Sequence, residues 1–269
     1  MRIHIMAAGA VCLLSTVAVH GQEAINFDSA LQPGKGSTIL RQQLRYFEAK
    51  RRTPSMNLDI SQLMSVTSIV HGLEADTTLI LNFKHMFREI ENNNTNTSDR
   101  DNGFGDVRVM GKFNLWKIDT GPTDTTRFSV LGGLEIRSGD SNFSSDSYDP
   151  LLGLVLTKSD GRFGFDLAGL WKFNTAGGAA DEFKYDAAIT YRLMPEQYGT
   201  GKIEAVFGVL ELNGLSETNG DNELFISPGL QYVTGQWAIE ASIQLPVWQE
   251  LDQRPEKDFI IGLIFRMYF

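Results

Sequence analysis

The groups with chemistry to offer in this chain are charged side chains at even spacings within segments whose alternate positions are apolar. Arg41 and Arg45, Lys84 and Arg88, Arg108 and Lys112, and Lys184 and Arg192 recur in this way, with Arg127, Arg137, Lys172, Lys202 and Arg266 in comparable settings. Carboxylates hold the same kind of position at Asp59, Asp106, Glu135, Asp166, Asp186, Glu204, Glu240 and Asp258. In an extended chain residues i and i+2 share a face, so these charges would gather on one side while the apolar set covers the other. The charged side leans basic, although the whole chain carries a formal charge of −9. Two readings of such a face stay open. The charges form buried ion pairs that fill a narrow interior, where an unpaired charge costs several kcal/mol, or their basic surplus sets a field that favours anionic or polar solutes.

Catalysis finds little support in the residue types. Beyond residue 21 the only histidines are His71 and His85. A Ser–His hydrolase needs an orienting third group, here an Asn; Ser65 and Ser68 lie on the strand neighbouring His85, but no Asn is placed to orient it. Two histidines on opposite sides of a hairpin make poor metal ligands, and the loop acids Asp99, Asp101, Asp140 and Asp146 read as solvated loop, so no metal, cofactor or catalytic residue is expected. The acidic balance argues against nucleic acid, whose phosphates need a basic surface.

The elements that must position these charges alternate with turns in a regular beat. Residues 258–269 show the pattern most clearly: Phe259, Ile261, Leu263, Phe265, Met267 and Phe269 on one face, with Arg266 and Asp258 on the other. Similar period-two runs begin near residues 38, 56, 77, 103, 127, 150, 162, 183, 201, 223 and 237, which makes about twelve strands. Short turns near Glu74, Pro122, Gly161, Glu196 and Gly235 alternate with longer polar loops near Arg52, Thr95, Ser144, Gly178, Glu217 and Arg254, and the run 91–102 is too polar to hold a strand. Sandwiches and jelly rolls do not sort their connections by length. An even number of strands with short turns at one end and loops at the other predicts an all-β chain, a transmembrane antiparallel up-and-down β-barrel of about 12 strands. Trp116, Tyr191, Trp237, Tyr268 and Phe269 near turn-side ends, and Phe87, Trp171, Phe183 and Trp248 near loop-side ends, would form its interfacial girdles.

Residues 1–21 read as a signal peptide: a basic start at Arg2 and His4, an apolar core, and a small-residue site at Val19-His20-Gly21. Cleavage there would remove Cys12, the single cysteine. Residues 22–37 are expected as a periplasmic N-terminal lead-in, with its entry into the lumen left open, and residues 38–269 as the barrel. Beyond residue 21 no stretch reaches the ~18 apolar residues of a membrane helix.

At residues 103–113 (GFGDVRVMGKF) the chain resembles the outer-membrane family named for transport in the phenol-degradation meta-pathway. Gly103, Gly105 and Asp106 match its Gly-x-Gly-Asp strand start, and Gly111 and Lys112 its Gly-Lys segment. The turn at 71–79 (HGLEADTTL) is similar to the family's Tyr-Gly-Leu-Thr-Asp turn, with His71 and Glu74 departing from it. The resemblance implies a porin-like transporter in the cell outer membrane of a Gram-negative-type envelope, taking up aromatic or other small organic solutes passively. A structural or adhesive barrel with a filled lumen is the alternative. The expected partners are the lipid bilayer, a small-molecule solute and the barrel-insertion machinery, for which the terminal aromatic Phe269 resembles the assembly signal. Deleting Phe269, or substituting Phe265→Lys, is expected to impair assembly, read as loss of the heat-modifiable barrel band from outer-membrane fractions.

Overall fold

A computed structural model describes residues 22–121, 123–198 and 204–269; the expected signal peptide and Lys202 lie outside the described residues. The strands are β1 (Thr38–Arg52), β2 (Asn57–Gly72), β3 (Thr77–Asn92), β4 (Thr97–Phe104), β5 (Val107–Asp119), β6 (Thr125–Ile136) and β7 (Asp149–Asp160). They continue with β8 (Phe163–Lys172), β9 (Glu182–Met194), β10 (Glu204–Glu217), β11 (Asn222–Thr234), β12 (Trp237–Glu250) and β13 (Glu256–Tyr268). Neighbours in sequence pair antiparallel, β13 closes onto β1, and β4 and β5 are two halves of one stave, both paired to β3. The result is a closed barrel of twelve staves. Closure leaves no unpaired sheet edge within lipid, where each unsatisfied backbone group would cost several kcal/mol.

Several strands exceed the length a membrane requires. β2 and β3 have 16 residues each, against the roughly 9–11 that span a bilayer. The surplus extends beyond the loop-side girdle as paired ladder. Residues 97–102, expected as loop, are therefore strand, with Glu89 opposite Arg100 and Asn92 opposite Thr97. Their polarity suits a ladder in water rather than in lipid, which the composition of the run alone does not distinguish from loop. The loops expected near Arg52, Thr95, Glu217 and Arg254 are likewise turns of four or five residues capping extended hairpins; 137–148 and 173–181 are the long connections.

Residues opposite each other across a ladder share a face, so one anchored strand sets the facing of all the others. Arg41 is buried and lies opposite Arg266 and Ser68. Carried around the barrel, this register turns Leu134, Leu154, Phe165, Ile189, Leu210, Leu230, Ile243 and Phe265 outward, all exposed or half-buried apolar side chains. At several places the facing differs from what alternation along the chain suggests. In β2, Met64 and Val66 point inward while Leu63, Ser65 and Thr67 point to lipid. Apolar residues occur at both parities there, and Gln42 on β1 satisfies both hydroxyls, at 2.8 Å from Ser65 and 2.7 Å from Thr67. Asp59 also faces outward, paired to Arg52. Glu204 is exposed on the outer wall, bonded to Tyr232, because the register gives the lumen to Ala205, Phe207 and Val209. Finally, a register shift opposite Glu48 and Ala49 lets Asp258 pair outward with Lys50 at 2.6 Å while Lys257 turns inward. Tyr268 packs inward against the cluster of Phe207, Val233 and Ala238 rather than in a girdle.

Residues 22–33 lie inside the barrel, while residues 34–36 are exposed at the turn end, where Lys35 pairs with Glu74. Gln22, Glu23, Ala24, Ile25, Ser29, Ala30 and Gln32 are all buried, with Ile25 packed on Val209 and Ile264, and Ala30 on Leu131 and Val155. Lumen-facing glycines make room for the segment. A Cβ on Gly72 would stand 2.2 Å from the Gly34 carbonyl oxygen, and one on Gly229 would stand 2.6 Å from the Ile25 side chain. Gly72→Ala is expected to displace the segment while the barrel still assembles, read as faster proteolysis within residues 22–37 at unchanged heat-modifiable mobility.

Candidate functional site

The lumen divides into a filled lower half and an open upper half. Below, the lead-in follows no strand, so its backbone polar groups need partners other than a ladder. The wall charges supply them. Lys112 Nζ donates to the carbonyls of Ser29 at 2.8 Å and Leu31 at 2.6 Å, and Arg41 donates to the carbonyl of Ile25. Asp166 accepts from Ala24 N at 3.0 Å and is itself held by the Thr157 hydroxyl. Glu211 accepts from the backbone N–H of Ile25 and of Asn26, and from Asn26 Nδ2 at 2.6 Å. Arg266 joins Glu23 to Glu240, while Gln231 donates to the Glu23 carbonyl at 2.8 Å. Charges that would be expensive alone are thus compensated by hydrogen bonds as well as by each other.

Above this floor lies a cavity of about 350 Å³, within the size range of small-molecule sites. Its floor is Asn26, Phe27 and Asp28 of the lead-in. Its walls carry Phe47, Met64, Leu131, Leu170, Leu215 and Phe225 beside five cations, Arg45, Arg108, Lys184, Arg254 and Lys257. Three carboxylates, Asp28, Asp186 and Glu223, complete the charge. Arg108 and Lys84 share Glu135 at 2.6 and 3.2 Å, Lys257 holds Glu223 at 2.6 Å, and Lys172 holds Glu182 at 2.9 Å. Asp186 accepts from Asn213 Nδ2 at 2.9 Å.

The remaining expected residues are dispersed. Arg88 sits at the loop end over the Phe143 ring, and Arg127 at the turn end beside Asp119. Arg192 is buried near the turns against Tyr198 and the Pro195 carbonyl. Arg137 belongs to the exposed loop, paired with Asp146 at 2.8 Å. Asp106 does not line the lumen freely: it accepts from the backbone N–H of Ser138, Gly139 and Ser145 and from the hydroxyls of Ser144 and Ser145, pinning loop 137–148 to the break between β4 and β5. Glu211, Glu223, Lys257, Arg254 and Asp28 were not foreseen. Glu211 had a signal, since Asn213 shares its parity, but the apolar residues of β10 occupy both faces. His71 bonds the Thr38 hydroxyl near the turn end, and His85 lies on the outer wall at the edges of the Phe87 and Phe104 rings. Among the described residues no group of three or more His, Cys, Asp or Glu side chains could hold a metal ion.

The family model described as "Putative MetA-pathway of phenol degradation" matches residues 52–260. The chain belongs to this family. Its fold matches an outer membrane channel from Pseudomonas putida F1 at TM-score 0.59 and 14% identity, over 92% of this chain and 100% of that one. The β domain of the Bordetella autotransporter BrkA matches at TM-score 0.49 and 9% identity, over 87% and 100% of the two chains. The NanC porin matches at TM-score 0.42 and 13% identity, over 84% and 98%. No curated protein sequence matches the chain. For this family member the fold is that of an outer-membrane β-barrel, and the apolar outer wall meets lipid.

The loop-side rim of the cavity is held by Asp221. This carboxylate is buried between β10 and β11 and accepts the backbone N–H of Asp252, Gln253 and Arg254, and Arg254 in turn pairs with Glu217. Burial opposes its ionisation, but these backbone donors and the Arg254 guanidinium outweigh it and hold the carboxyl below its usual range. A depressed carboxylate contributes stability that is complete above the unfolded value of about 4 and is lost as pH falls through the folded value. Hydrogen exchange at residues 252–254, taken relative to the intrinsic amide rate at each pH, should therefore be slow at pH 7 and speed up as pH falls below about 4. Asp221→Ala should raise it at pH 7 by about tenfold or more, the equivalent of one charge-assisted hydrogen bond.

Proposed function

We propose that this protein is an outer-membrane channel for the passive uptake of small organic solutes, with a preference for anionic and aromatic ones. The observation that carries the reading is the upper cavity, which joins Phe27, Phe47 and Phe225 to five cations against three carboxylates. Apolar walls give a small ring a place to leave water, worth about 25 cal/mol per Å² of apolar surface buried. The cationic surplus sets a field that raises the local concentration of anions within a low-dielectric wall. A solute would enter between the loop-side turns, rest on the lead-in, and reach the turn side as that segment shifts. The family's description and the channel fold of its relative from Pseudomonas putida F1 support transport.

The second reading, a structural barrel without transport, draws on the filled lower lumen, where the lead-in occupies the path. Planar-bilayer recording separates the two. The intact protein should show small, anion-preferring conductance. Deleting residues 23–32 should raise the mean conductance by about tenfold or more, because wall charges that now bond the lead-in would face water in an open pore. Cation selectivity, or no conductance in either form, would overturn the channel reading.

A further inference from the structure

Resting on that uptake reading, and making it more specific, the pairing of the cavity's charges singles out one side chain. Of the five cations on the wall, Arg108, Lys257 and Arg254 each hold a carboxylate. Arg45 donates only to the Asn26 carbonyl at 3.0 Å, and its Nε has no partner. Lys184 makes no hydrogen bond or ion pair to any described residue, although it lies in the fields of Arg108 and Lys84 as well as of Glu182 and Asp186. The ladder register puts its side chain on the lumen face. Lys184 lies opposite Leu170 on β8 and Leu215 on β10, both lining residues of the cavity. The side chain is exposed, yet it is on the lumen face, so its exposure is to the cavity. A cation lining a cavity with carboxylates nearby but no direct ion pair of its own keeps its donors free for an anion.

We infer that Lys184 is the docking group for the carboxylate of a small aromatic monocarboxylic acid. The ring then lies over Phe27 of the floor and among Phe47, Phe225 and Leu170 of the walls, which line the one cavity. The charge of the ligand is limited by its neighbours. Asp28, Asp186 and Glu223 line the same space, and their repulsion acts twice as strongly on a dianion such as phosphate as on a benzoate-like monoanion. An ammonium on a flexible stem presents a point charge with three donors, which suits one carboxylate without demanding a fixed bidentate geometry. Arg108 and Lys84 do not compete for this role, since Glu135 already takes both.

The test uses the full-length protein in detergent, with benzoate, benzyl alcohol and inorganic phosphate as calorimetric probes. Benzoate should bind about tenfold or more tightly than benzyl alcohol, its neutral analogue of similar shape, and phosphate more weakly than benzoate. Lys184→Gln should remove most of the preference for benzoate while leaving benzyl alcohol unchanged, and Lys184→Arg should restore it. Lys184→Met is the second neutral variant should the glutamine form fail to assemble, and the wild-type comparison of the two aromatic probes stands without any variant. Equal affinity for benzoate and benzyl alcohol, phosphate bound as tightly as benzoate, or an undiminished preference in Lys184→Gln would overturn the assignment. Liposome swelling keeps this apart from the uptake reading. Permeation of both aromatic probes, unaltered in Lys184→Gln, would leave uptake standing and overturn the docking role; benzoate-selective binding without permeation would support the docking role and overturn uptake.

Discussion

A backbone segment enclosed by a barrel but outside its sheet has no ladder to join, and its N–H and C=O groups must be met by side chains of the wall. This constraint organises the lower lumen. Lys112, Arg41 and Arg266 are donors to the carbonyls of residues 24–31, and Asp166 and Glu211 are acceptors for the backbone N–H groups of residues 24–26. The wall charges and the segment are therefore one structure. Without the segment the charges would need water or one another; without the charges the segment would bury unsatisfied peptides.

The upper lumen follows from where that segment stops. Phe27 and Asp28 form a floor, and the charges above them pair among themselves, across neighbouring strands as with Arg108 and Glu135 or over one intervening strand as with Lys257 and Glu223. Cross-strand pairs of this kind are the unit of sheet stabilisation, and here they also trim the electrostatic field. What remains is local: a lysine and an arginine in an apolar pocket, rather than a uniformly positive pore. Such a pocket discriminates by both ring and charge, while a pore of the same net charge would sort by charge alone.

At the loop end of the barrel, two carboxylates act as fasteners for backbone. Asp106 gathers loop 137–148 at the break between β4 and β5, and Asp221 gathers residues 252–254 at the rim. Both are sites where the chain leaves its ladder, so the same constraint that governs the lead-in recurs at the loop end of the barrel.

The sequence by itself determined the class of fold. Period-two alternation in residues 258–269 and its counterparts needs one apolar and one polar surrounding, and only a closed antiparallel barrel provides both in a membrane. It also marked most wall charges, because Lys84, Arg108, Lys172 and Lys184 lie in strands with a clearly apolar opposite face. Where that contrast fails, as in β2 and β10, the facing of Met64, Glu204 and Glu211 was decided by pairing with neighbouring strands, which local pattern does not record. The register shift that exchanges Asp258 for Lys257 is likewise invisible along the chain. Whether residues 22–37 stay in the periplasm or enter the lumen was a tertiary decision, since the segment is irregular and its stabilising partners lie up to 243 positions away. The pocket itself is the space left by that choice, and so no residue in isolation announces it.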